Sequence, residues 1–208
     1  MKYIDLAELP ANKAYKWMTS IIVPRPIAWI LTDNDNGTKN LAPFSFFNGV
    51  CSDPPMVMVS FYPKSPKPSV EAKDTLRNIL KNKEATIHIA DFAHLDEVNK
   101  SSYDYEYGIS ELNELNLTIK ETLKVRCGWI AEAPVAMEAK YRQHFEVGNS
   151  PCTVVLFELT GIHLSKDWGH SASISELDPL MRLGAVDYGR VDMSSIVSRN
   201  RIIKPKKD

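Results

Sequence analysis

Two short stretches of the chain carry residue types able to do chemistry. Lys73-Asp74-Thr75 stands just before a segment of helical periodicity, where a helix N-terminus presents unpaired backbone N–H groups and a partial positive charge to which the lysine adds a full one. Such a corner can hold a phosphate. Asp74 is also a good N-cap, and as one it would consume donors and repel an anion, so an ordinary capped helix is the competing reading. The second stretch, residues 41–51, mixes Phe44, Phe46 and Phe47 with Ser45, Asn48 and Gly49. It offers apolar faces, polar handles and close backbone approach together, as a flat amphipathic heteroaromatic ligand requires. The alternative is a barrel strand whose Phe residues are core and whose Ser and Asn satisfy a bulge. Ser52 and Ser60 are further candidates on the same wall, and Arg25 either reaches a phosphate or snorkels at a strand start.

Other chemistries lack support. His88, His94, His144, His163 and His170 show no metal-ligand spacing, and neither H-E-x-x-H nor G-x-S-x-G occurs. No G-x-G-x-x-G follows a strand, which disfavours a Rossmann nucleotide domain. Cys51, Cys127 and Cys152 are odd in number and far apart, and read as buried free thiols.

The elements that must position these residues follow from periodicity and turn chemistry. Residues 9–20 have helical spacing, with Ala14, Trp17 and Met18 available to one face. A strand over 27–32, a polar turn at 33–37 and a return strand make a hairpin, because Asn and Gly tolerate positive φ. The apolar run 56–61 reads as a buried strand. Residues 75–82 read as a helix capped by Asp74, and 84–90 as a strand alternating Ala85, Ile87 and Ile89 with Thr86 and His88. From 93 to 117 the pattern weakens to two short helices, the second near 110–115, around a loop with Tyr103, Tyr105 and Tyr107. Strands resume at 118–122, 135–146 and 152–164, and the tail from Ile202 reads as frayed.

Strands at short intervals with few helices predict a mainly β fold, an antiparallel Greek-key β-barrel with accessory helices rather than a parallel sheet. The 208 residues, 44% hydrophobic, suit a single domain over 1–208. Twenty-five Lys and Arg against 26 Asp and Glu leave no excess charge to attract nucleic acid or an anionic membrane. The N-terminus carries Asp5 and Glu8 where a signal peptide has an apolar core, so a cytoplasmic location is expected.

Several motifs, in order, carry a family resemblance: R-P-I-A-W at 25–29, N-L-A-P-F-S-F-F-N at 40–48, S-D-P-P at 52–55, K-D-T with Asn78-Ile79, and A-P-V-A-M-E at 133–138. They resemble the flavin reductase-like FMN-binding split-barrel proteins, which include flavoredoxin. The resemblance implies non-covalent FMN, with NADH or NADPH as candidate electron donors, and a homodimer with cofactor sites at the subunit interface. It implies FMN contacts from Arg25, Ser45, Phe46, Phe47, Asn48, Ser52, Ser60, Lys73, Asp74 and Thr75, with the phosphate and ribityl region close to K-D-T. It implies an oxidoreductase; a flavoredoxin-like electron carrier and a barrel that has lost flavin are the rivals. Two departures stand out. His88 occupies a strand position where family members often have Asn, which would alter the flavin-side environment. Gly148-Asn149-Ser150-Pro151 replaces the G-D-H whose His is associated with the pyridine nucleotide.

Overall fold

The computed structural model describes residues 1–63, 72–149, 152–169 and 174–198. In chain order the N-terminal half contains α1 (Ala11–Ile21), β1 (Arg25–Pro26), β2 (Ala28–Asp33), β3 (Lys39–Phe44), β4 (Phe47–Ser52), β5 (Pro55–Phe61), α2 (Asp74–Asn82) and β6 (Glu84–Ile89). Then come α3 (Leu95–Lys100), β7 (Ile119–Lys120), β8 (Trp129–Ile130), β9 (Val135–Val147), β10 (Cys152–Leu164), α4 (Ile174–Leu177), β11 (Met181–Leu183) and β12 (Asp187–Gly189).

Seven strands pair antiparallel in the order β3-β2-β6-β9-β10-β5-β4. The two end strands, β3 and β4, are consecutive in the chain and joined by Ser45 and Phe46 alone. Three peptide steps reach at most ~11 Å, whereas seven strands laid flat would span ~29 Å. The sheet must therefore roll up until its edges meet. The result is a split barrel, with its seam at the motif that sequence reading singled out. β1-β11-β12 and β7-β8 form two small separate sheets.

Strand alternation divides the core in two. Ala28 and Ile30 point inward with Val57, Val59, Phe61, Ile87 and Phe157, joined by Leu76 and Ile79 of α2. Trp29 and Leu31 point outward into a second buried cluster with Val98, Leu115, Ile130 and Leu180. The excursion over 93–117 is thus a cover on the outer face of β2, anchored where Trp29 Nε1 donates to Ser101 Oγ at 2.9 Å.

Most strand expectations hold within a residue or two, including the 33–37 turn, where Gly37 has φ +82°. Three points are corrected. The N-cap of α2 is Lys73, without a side-chain capping bond, and Asp74 is the first helical residue. There its charge still complements the helix dipole. β6 does not alternate buried and exposed residues: Thr86 and His88 are fully buried beneath the second cluster. Of the thiols, Cys127 and Cys152 are buried but Cys51 is exposed on β4. The residues at 118–122 form only the two-residue β7, and the tail beyond Ile202 lies outside the described residues. Among the described residues no helix is long and apolar enough to cross a membrane.

Candidate functional site

A groove runs along β3 between α2 and the loops that follow α3 and β11. It comprises two adjoining cavities, of about 120 and 70 Å³, which share Pro43, Phe44 and Ser102.

At one end lie Asn40, Lys73, Asp74, Thr75 and the 101–105 loop. A buried polar ladder places the start of α2 there. Asn40 Nδ2 donates to Thr75 Oγ1 at 2.8 Å, and Asn78 Nδ2 donates to Asn34 Oδ1 at 2.8 Å and Thr32 Oγ1 at 3.1 Å. These bonds tie helix to hairpin at fixed register, because an unmade buried bond costs more than a made one gains. The Lys73 ammonium lies 5.8 Å from the centroid of the Phe44 ring. Asp104 and Glu111 share this lining, but Glu111 Oε2 is engaged by the Leu41 N–H at 2.8 Å and Asp104 is exposed. The 101–110 loop is held down at its far end, where Arg77 lies 4.2 Å over the Tyr107 ring and Asn36 Nδ2 and Thr38 Oγ1 donate to Gly108 O.

At the other end lie Tyr15, Arg25, Ile27, Ser45, Arg182, Gly184 and Tyr188. Arg25 is 5% exposed. Its guanidinium donates to the carbonyls of Thr19 and Ile22 at 2.7 and 2.8 Å, to Gly184 O at 2.7 Å and weakly to Ser45 Oγ at 3.4 Å. It therefore fastens α1 and the C-terminal hairpin to the barrel seam rather than snorkelling.

The other expected residues separate from this groove. Phe46 packs against Tyr15 and Tyr62, with Arg25 5.6 Å from its ring centroid. Phe47 packs on the inner core. Ser60 donates its backbone N–H to Phe46 O at 2.9 Å, and its hydroxyl meets Cys152. Asn48 and Ser52 are exposed on β4, with Asn48 Oδ1 accepting from the Gly49 N–H.

His88 is not on the groove. Its Nδ1 donates to Trp29 O at 2.9 Å and its Nε2 accepts from the Ile130 N–H at 2.9 Å. Burial pushes its pKa down to about 4, which keeps the ring neutral in this pairing. The 148–151 departure is described only as far as Gly148 and Asn149. Sequence reading missed Tyr15, Asn40, Ser102, Arg182 and Tyr188 as lining residues.

The donor set fits a phosphate ester that carries a flat ring system. A lysine and a threonine stand at a helix start, an aromatic and proline wall runs beside them, and Ser45 supplies a hydroxyl. Among the described residues no cluster suits a metal ion.

Comparison with known proteins follows the same line. Residues 18–181 match the flavin reductase like domain family. An uncharacterized protein, YwrF of Bacillus subtilis (strain 168), is 31% identical over 193 residues, covering 88% of this chain and 92% of that one. Nitrilotriacetate monooxygenase component B from Bacillus cereus superposes with a TM-score of 0.85 at 26% identity, covering 97% of this chain and 98% of that one. Flavoredoxin of Desulfovibrio vulgaris (Miyazaki F) shares the fold, with a TM-score of 0.69 at 20% identity over 85% of this chain and 90% of that one.

Proposed function

The chain belongs to the flavin reductase-like domain family, and on that premise we propose that it binds FMN non-covalently along the β3 groove and works as an oxidoreductase. The observation that supports this reading best is the placement of Lys73 and Thr75, at the start of α2, against the Phe44 wall. Bound FMN supplies the electron or hydride transfer, so no protein nucleophile is needed. The chain's own residues would bind and orient. Lys73 would meet the phosphate with a charge-assisted hydrogen bond, the β3 backbone would meet polar edges of the ring, and Phe44 and Pro43, which both cavities share, would cover its face.

The same reading assigns a homodimer. Asn48 and Ser52 are exposed on β4, the end strand of the sheet, and line neither cavity of their own chain's groove. They would contact flavin only in the site of a second copy. The apolar surface of α1 and its C-cap, with Trp17, Ile21 and Ile22 exposed by 45%, 67% and 51%, would give such an interface its hydrophobic part.

An absorption spectrum of the purified protein, followed by anaerobic titration with NADH and with NADPH, tests the assignment. A flavin band that bleaches on titration is the expected result. A band that never bleaches would leave the flavoredoxin-like carrier, a reading favoured by the loss of G-D-H at 148–151. Absence of any flavin uptake would overturn both.

A further inference from the structure

Arg25 and Arg182 are directly opposite one another in the β1–β11 ladder, and both line the larger cavity of the groove. Like charges placed opposite each other across strands are destabilising, and a buried guanidinium is ordinarily matched by a carboxylate. Neither arginine forms a salt bridge with a described carboxylate, and among the described residues no Asp or Glu lines this cavity. Arg25 is instead held by carbonyl and hydroxyl oxygens, and four of its five N–H groups are used in doing so. The remaining one is on Nη2. Arg182 lies 4.3 Å over the Tyr188 ring and donates once, to Ala185 O. Burial makes it harder for Arg25 to hold its charge, Tyr15 opposes this, and Arg182 adds to it to a smaller extent. The arrangement is two cations on one wall with no anion between them.

We propose that this cavity binds the carboxylate of a small organic acid, with Arg182 as the main ligand and Arg25 as the fixed second charge. The size and the other walls select the class. A cavity of about 120 Å³ takes one ring or a short chain, being comparable to engineered cavities that hold benzene. Ile27, Pro43, Phe44 and the rings of Tyr15 and Tyr188 line it beside the two arginines and Ser45, so a ring carrying one oxyanion finds both a flat neighbour and a positive charge there. The subsite rests on the FMN reading only in making the acid a second substrate beside the flavin; binding of the acid does not depend on it.

The test is titration calorimetry of the purified full-length protein with benzoate and, in parallel, with inorganic phosphate, FMN and riboflavin. Saturable one-to-one benzoate binding is expected, weakened at least tenfold in Arg182→Ala and less in Arg182→Lys, which keeps the charge but loses the planar fork. The melting temperature checks that each variant is folded. If Arg182→Ala does not fold, the Arg182→Lys comparison decides alone. No saturable benzoate binding, or equal affinity in wild type and variants, overturns the proposal. So does an Arg182→Ala variant that loses affinity for FMN but not riboflavin, or for phosphate but not benzoate, because the pair then serves a phosphate. A protein that takes up no flavin but still binds benzoate through Arg182 would defeat the FMN reading and leave the acid site standing.

Discussion

The side-chain amide of Asn40 donates to Thr75 Oγ1 across 2.8 Å, joining the strand that floors the groove to the first turn of the helix that walls it. Both residues are buried, at 4% and 2% exposure, so water cannot replace the bond. Thr75→Val keeps the shape and removes the acceptor. It should cost about 1–3 kcal/mol, a fall of several degrees in melting temperature, and weaken FMN binding because α2 loses its register. Thr75→Ser should restore most of both. A Thr75→Val protein that melts like wild type would remove this bond from the account.

His88 sets a pH dependence of stability. Its pKa is about 4 in the folded protein against an ordinary 6.5, so between these values the unfolded chain binds the extra proton and stability falls as pH falls. The contribution is complete above pH 6.5, declines from there to about 4 and changes no further below, amounting to roughly 3 kcal/mol. Denaturant unfolding at a series of pH values should show this slope above the range in which carboxylates titrate. His88→Gln should flatten it, and an unchanged slope would contradict the assignment.

Glu138 is 1% exposed and accepts N–H groups from Leu123, Lys124 and Val125, while His163 Nε2 donates to it at 2.7 Å. These bonds, against the opposing effect of burial, hold its carboxyl below the usual range. Glu138→Gln puts an amide donor where an oxygen accepted. It should destabilise the protein by about 1–3 kcal/mol, because the Val125 N–H stays buried without an equivalent partner. Because the 122–126 loop lies away from the groove, flavin affinity of the folded fraction should not move. Thermal melts and FMN titration, run on the same sample, check both halves.

Asn48 tests the shared site. It is exposed, and among the described residues its side chain bonds only to the neighbouring Gly49 N–H. Asn48→Ala should leave the apoprotein's melting temperature nearly unchanged. It should weaken FMN binding severalfold if a second copy's flavin lies against it. Sedimentation at micromolar concentration provides the companion reading: a monomer that holds stoichiometric FMN would confine every contact to one chain.

What the sequence disclosed, and what it hid, has physical reasons. The runs at 135–146 and 152–164 announce themselves because β-branched and apolar residues persist far beyond helical spacing, and the 33–37 turn because Asn and Gly accept backbone that other residues resist. The barrel closure was legible as well, since strands recur with few helices between them. Asp74 misled because carboxylates favour both the cap and the first turn, and the choice between them depends on how the chain enters the helix. His88 misled because alternation assigns one face of a strand to solvent, and only the packed excursion over β2 shows that this face is a second core. Arg182 was missed because a three-residue strand carries too little periodicity to be read, and its significance depends on Arg25, 157 positions away in the chain and adjacent in the fold.

The central claim, that the groove holds FMN with its phosphate at Lys73, is tested most directly by titrating FMN and riboflavin into apoprotein of wild type and Lys73→Ala. Loss of a charge-assisted hydrogen bond of about 1.5–3 kcal/mol should weaken FMN roughly ten- to a hundredfold. Riboflavin, which lacks the phosphate, should bind both proteins alike. Equal losses for the two ligands, or no loss for either, would contradict the account.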